Sequence, residues 1–132
     1  MVSPYAVNPL PFGGKVIAVT GASRGTGLAL SKYLLARGAT VSMCATTPSN
    51  LEKAAAEIDA EFPEARGRYW TCVVDISIPA SVKSWIDETI TKFGKLDGCA
   101  NVAGTFERIP TYARPLLVRT DPICTLHCMC WL

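Results

Sequence analysis

Three glycines, Gly21, Gly25 and Gly27, stand between the apolar run KVIAVT (15–20) and the helix-forming run LALSKYLLARG (28–38). Glycines where a strand gives way to a helix suit one kind of chemistry. Without side chains, the backbone can approach a diphosphate, whose charge is held by free amide N–H groups and the positive end of the helix dipole. A bare glycine-rich match is weak, and the same residues also make a plain strand-to-helix turn. Here the match follows a predicted strand and opens a predicted helix, which is the confirming context. A second constellation, CTLHCMC, gathers Cys124, His127, Cys128 and Cys130 within seven residues. Zinc sites draw two ligand pairs from separate segments, so this single cluster reads as chance composition and no metal is expected.

The glycine corner needs a scaffold. KVIAVT is a short β-branched run without helical period, suited to a strand buried on both faces. The helix after it has Leu30 and Leu34 one turn apart, widened by Leu28 and Leu35; Arg37 supplies a cationic last turn and Gly38 the terminating glycine. ATVSMCA (39–45) reads as the second strand. PSNLEKAAAEIDAEF opens as a capping box, Ser49 with Glu52, and sets Leu51, Ala55, Ile58 and Phe62 on one face before Pro63 ends it. RYWTCVVD (68–75) is a third strand. Ser77, Pro79 and Ala80 start a helix with Val82, Ile86, Ile90 and Phe93 on its buried face, closed by Gly94, and LDGCANVAG (96–104) begins a fourth strand. Strands alternating with helices imply right-handed βαβ units and a parallel sheet in the order 3-2-1-4, with its ligand crevice at the carboxyl ends of the strands.

The chain has 132 residues, 49% apolar and 18% charged, enough to bury one core. A net charge of +2, with 13 scattered Lys and Arg, does not argue for nucleic acid. No run approaches the roughly 18 apolar residues of a membrane span, and MVSPYAVNPLPFGG lacks the unbroken apolar stretch of a signal peptide. A soluble cytoplasmic protein is expected. Of the six cysteines, Cys44, Cys72 and Cys99 sit in strand-like runs as small hydrophobes.

TGASRGTG, spaced Gly-x-x-x-Gly-x-Gly after Thr20, resembles the cofactor loop of the short-chain dehydrogenase/reductase family. VVDIS ends the third strand where that family has an Asp beside the adenine, which maps to Asp75. NVAG ends the fourth where the family usually has Asn-Asn-Ala-Gly: Asn101, Ala103 and Gly104 match and Val102 departs. The resemblance covers residues 14–104, with three motifs in order. It implies an α/β fold, a partial Rossmann-like doubly wound sheet with flanking helices. It also implies part of an oxidoreductase acting on carbonyl or alcohol substrates, with a nicotinamide dinucleotide as partner. The implied cofactor site is Thr20, Gly21, Ser23, Arg24, Gly25, Thr26, Gly27, Thr46, Asp75, Ile76, Asn101, Ala103 and Gly104.

NAD enzymes of this kind carry an acidic residue about 20 positions past the glycines, for the ribose 2′-hydroxyl. Here that stretch is Ala45, Thr46 and Thr47, with no carboxylate to repel a 2′-phosphate. Arg24 matches a position where NADP-preferring members often carry a base. NADP is therefore the preferred cofactor and NAD the alternative.

Members of the family transfer hydride with a Ser and a Tyr-x-x-x-Lys, in which a nearby cation lowers the tyrosine pKa. No Tyr here has Lys four residues on: Tyr5 is followed by Pro9, Tyr33 by Arg37, Tyr69 by Val73 and Tyr112 by Leu116. No catalytic residue is assigned, and the chain reads as the cofactor-binding half alone. The alternative is a non-enzymatic nucleotide- or partner-binding module. Domain organisation follows: a Pro-rich leader (1–14), the dinucleotide-binding domain (15–104) and a Cys-rich tail (105–132) whose pattern is foreign to the family. The fourth strand is expected to be an open apolar edge, inviting self-association.

Overall fold

The computed structural model describes residues 10–104. Its elements run β1 (Val16–Thr20), α1 (Gly25–Ala36), β2 (Thr40–Ala45), α2 (Pro48–Glu61), a 3-10 turn (Pro63–Ala65), β3 (Tyr69–Val73), α3 (Pro79–Phe93) and β4 (Gly98–Asn101). All pairings are parallel and the order is β3-β2-β1-β4, as the sequence predicts. Val16 stands beside Thr40, Thr20 beside Cys44 and Asn101, and Cys44 beside Cys72. β4 is clipped to β1 where it begins: the Val16 amide donates to Asp97 Oδ2 at 2.8 Å and the Asp97 amide to the Val16 carbonyl at 2.8 Å. The Val16 amide, helped by Lys95, holds the Asp97 carboxyl below the ordinary carboxylate range.

The direction of the crossovers decides which face each helix covers. β1 to β2 to β3 steps one way across the sheet; β3 to β4 steps back over two strands. Right-handed connections then put α1 and α2 on one face and α3 on the other. On the first face, Val19, Val41 and Met43 pack with Leu34, Leu35, Ala54 and Ile58. On the second, Ala18 and Cys44 pack with Trp85, flanked by Trp70, Cys72, Val82, Ile86 and Cys99.

Helix ends and helix faces depart from the sequence reading in three places. α2 does not start at a Ser49–Glu52 capping box: Thr47 is the cap residue and Pro48 takes the first helical position, with no side-chain capping bond. The fixed φ of proline is pre-organised for that position, so the helix starts early and Ser49 lies inside it. Arg37 is the residue that ends α1 rather than a member of its last turn, and its guanidinium lies 4.4 Å from the Tyr33 ring centre. The buried stripe of α3 is Trp85 and Thr89, while Ile90 is 42% exposed. The cause is a hydrogen-bond set that fixes the helix rotation. The Trp85 indole N–H donates to Ser42 Oγ at 2.9 Å, and Thr89 Oγ1 donates to the Trp85 carbonyl at 2.8 Å. That leaves Ser42 to donate to Thr89 Oγ1, 2.8 Å away. Every polar side-chain atom in this buried cluster is satisfied, as burial demands.

Cys44 is buried, Cys72 and Cys99 are half-buried, and among the described residues none of the three is joined in a disulfide. Among the described residues no helix is long and apolar enough to cross a membrane, and no group of His, Cys, Asp or Glu is placed to hold a metal. The Cys124–Cys130 cluster lies outside the described residues.

Candidate functional site

The glycine corner sits at the carboxyl end of β1, and each of its glycines has a different reason to be there. Gly21 takes φ +64°, and a Cβ on it would lie 2.8 Å from Cα and 2.9 Å from N of Ala103. Gly27 is buried in the first turn of α1, and its Cβ would lie 2.7 Å from the Gly21 carbonyl carbon. These two let the loop close on β4 and on itself. Gly25 is different: φ is +57°, yet nothing lies within 4 Å of where its Cβ would be. Its backbone needs glycine, but among the described residues no atom fills the space beside it.

That open side faces the start of a helix. The first amides of α1 lack intrahelical acceptors by geometry, no side chain caps them, and the first turn holds no acidic residue. Arg24 is the cap residue, with extended backbone, and it is exposed, as are Gly25 and Thr26; Ser23 is half-buried. Uncompensated N–H donors, a positive dipole end and a nearby cation together suit an anion.

Thr20 and the β4 motif meet directly. Thr20 is 5% exposed, and its Oγ1 accepts from the amides of Val102 at 3.0 Å and Ala103 at 3.1 Å while donating to the Ala100 carbonyl at 3.5 Å. Its hydroxyl is spent on holding the chain that leaves β4, so it positions the corner from beneath. Ala103 packs on Gly21; Asn101 is exposed at the last position of β4, its Oδ1 accepting from the Cys99 thiol at 3.6 Å. Gly104 is exposed.

Thr46, Asp75 and Ile76 lie at the same end of the sheet but do not touch the corner. Thr46 follows β2 and is exposed; Asp75 and Ile76 follow β3, two strands from β1, and Ile76 is 40% exposed. Asp75 Oδ1 accepts from the Ser77 hydroxyl at 2.6 Å and the Ser77 amide at 2.9 Å. Those two bonds hold its carboxyl below the ordinary range, so it is anionic at neutral pH and its turn is fixed. Adjacent parallel strands are about 4.8 Å apart, so the residues span a crevice mouth of several strand widths.

Cys44 was not among the expected site residues, and it braces the corner from β2. Its carbonyl accepts from the Ala22 amide at 3.0 Å, and its thiol accepts from the Gly21 amide. Burial, partly offset by that amide, pushes the thiol up to about 12, so it is a structural thiol. The signal available in sequence was only its place in an apolar strand.

A parallel sheet in this order, with a glycine corner at the carboxyl end of its first strand, is a Rossmann-like α/β structure. Residues 15–116 match the family model for short chain dehydrogenase, which runs past Gly104. The short-chain dehydrogenase/reductase ABA4 of Pyricularia oryzae is 43% identical over 101 residues, 76% of this chain and 36% of that protein. Chanoclavine-I dehydrogenase of Trichophyton verrucosum is 31% identical over 111 residues, 81% of this chain and 40% of that one. Among solved structures, L-sorbose reductase from Gluconobacter frateurii complexed with NADPH and L-sorbose matches with a TM-score of 0.69 and 28% identity, covering 82% of this chain and 40% of that one. The C-domain of a bacterial malonyl-CoA reductase, with NADP, matches with a TM-score of 0.69 and 34% identity, over 74% of this chain and 16% of that one. The chain belongs to the short-chain dehydrogenase family. It spans about a third of the length of the ABA4 relatives it matches.

Proposed function

We propose that this chain holds a nicotinamide dinucleotide across the carboxyl ends of its strands, NADP(H) in preference to NAD(H). Residues 15–104 are the binding unit, with 1–14 a leader and 105–132 a tail whose first part, to residue 116, the family match still covers. The observation that carries the reading is Gly25: a backbone that only glycine adopts readily, at a helix start with uncapped amides, beside space that no atom of the described residues fills. The diphosphate would lie on the amides of the Ser23–Gly27 stretch, backed by Gly21 and Gly27, which pack too closely to accept side chains. Arg24 and Thr46 would face a 2′-phosphate, Asp75 and Ile76 the adenine, and Asn101, Ala103 and Gly104 the nicotinamide half. Thr20 contributes by fixing Val102 and Ala103. When bound, the nicotinamide gives or takes a hydride.

The 132 residues hold no Tyr-x-x-x-Lys to move the accompanying proton, so the role proposed for them is cofactor binding. A cytoplasmic location goes with that role.

The test is a fluorescence titration of the 132-residue chain with NADPH and NADH, alongside two variants. NADPH is expected to bind more tightly than NADH, and Arg24→Glu to reverse or erase that order. Gly25→Ala meets no atom and costs only the left-handed backbone penalty of about 1–2 kcal/mol, so it is expected to fold yet bind neither nucleotide. A folded wild-type chain that binds neither would remove the proposal.

A further inference from the structure

The sheet ends at β3 on one side and β4 on the other, and the β3 edge has a specific arrangement of hydrogen-bonding groups. The Val41 amide donates to the Arg68 carbonyl at 2.8 Å, and the Val74 amide to the Ala45 carbonyl at 2.9 Å. Backbone groups change side with each residue along a strand. Arg68, Trp70, Cys72 and Val74 therefore turn toward β2, while Tyr69, Thr71 and Val73 turn their N–H and C=O groups outward. Among the described residues no strand pairs with that edge. The strand, YWTCV, carries none of the Lys, Pro or bulge devices that normally blunt an edge, and Val73 is 52% exposed.

We propose that two copies of this chain associate through β3, pairing antiparallel about a twofold axis at Thr71 to form one continuous sheet. Three features select a second copy as the occupant. Centring the axis on Thr71 brings every outward donor onto an outward acceptor: Thr71 meets Thr71 of the second copy, and Tyr69 meets Val73 at both ends. The side chains that then face each other are a Thr–Thr pair and two aromatic–β-branched pairs, the combinations that stabilise antiparallel neighbours. Continuing the register past the strand sets Gly67 opposite Asp75. The Arg66 side chain, 70% exposed and 3.9 Å from Asp59 of its own chain, is thereby brought to the level of the second copy's Asp75 carboxylate, twice by symmetry.

Cavities flank β3 on both faces of the sheet. One of about 360 Å³ is lined by Tyr69, Trp70 and Thr71 together with Ala55 and Asp59 of α2, which the Tyr69 hydroxyl bonds at 3.3 and 2.9 Å. Another of about 270 Å³ lies between Trp70 and Glu88, Thr91 and Lys92 of α3. The strand pairing uses Tyr69, Thr71 and Val73, none of which the cofactor reading assigns; only the flanking Arg66–Asp75 contact shares a residue with it.

Sedimentation velocity on the 132-residue chain over a concentration series, with hydrogen exchange at its two ends, tests this. A monomer–dimer equilibrium is expected. Amides of Tyr69, Thr71 and Val73 should gain protection with concentration, whereas those of Trp70 and Cys72, already bonded to β2, should not change. Thr71→Lys sets two like charges opposite each other at the axis and should weaken the dimer by up to about fivefold. A folded chain that stays monomeric, an open series of larger assemblies, or protection that rises at Gly98–Asn101 instead would overturn the proposal. So would undiminished association of a folded Thr71→Lys variant; if that variant misfolds, the exchange pattern of the unaltered chain decides.

Discussion

Under α1 and α2 the sheet presents Val19, Val41 and Met43 to Leu34, Leu35, Ala54 and Ile58, all 5% exposed or less. Under α3 the centre of the contact is the indole of Trp85 bonded to Ser42, and Ser42 to Thr89. Two helices can share an apolar face with some freedom, since burial is non-directional. Among the described residues α3 is alone on its face of the sheet, and three buried polar groups set its rotation. The apolar face supplies area; the opposite face supplies angle.

The largest expected effect comes from emptying the polar face. Trp85→Ala removes a side chain that is 1% exposed and strips Ser42 of its donor, at a cost of about 3–5 kcal/mol. It should exceed Ile58→Ala on the apolar face; a urea melt in which Ile58→Ala costs more would reverse the comparison. Thr89→Val comes next. It leaves the Ser42 hydroxyl without its acceptor, for about 1–3 kcal/mol. In a double-mutant cycle with Ser42→Ala the two should couple rather than add. Additive losses would mean that the buried hydroxyls do not act as a unit.

The smallest effect is on the solvent side of the apolar layer, where Lys32 Nζ reaches Glu57 at 2.9 Å and Glu61 at 2.7 Å. Lys32→Met should cost about 0.2–1 kcal/mol, less in high salt. The hydrogen bonds that Lys32 donates to Glu61 and then Glu57 raise its pKa. A raised folded value means that the contribution is complete below the unfolded pKa of about 10.4 and is lost as pH climbs through the folded one. Stability of wild type and variant should therefore converge in alkaline solution, and a gap that widens there would contradict the pairing.

Most of the scaffold was legible because strand and helix periods are local. KVIAVT, ATVSMCA and RYWTCVVD announce β1, β2 and β3, and the order of the sheet follows from right-handed crossovers. The glycine corner was legible because glycines spaced between a strand and a helix are a pattern of consecutive residues. What escaped was relational. Ile90 sits at correct helical spacing for the buried face, yet a bond between Trp85 and Ser42, 43 residues apart, turns it outward. Thr20 reads as a ligand-loop hydroxyl but holds Val102 and Ala103, more than 80 residues on. Cys44 gives no sign in its neighbours of bracing Gly21 and Ala22.

By itself, then, the chain's order of residues determined the alternation of strands and helices, the place of the turn glycines and the lack of a Tyr-x-x-x-Lys, because each is a property of a few consecutive positions. Only the folded sheet decided that Gly21 and Gly27 are packing glycines while Gly25 borders open space. It also decided which way α3 is rotated and which backbone groups of β3 point away from β2. Those depend on which distant atoms fill or leave a given volume, and that is fixed only when β4 and α3 close onto β1 and β2.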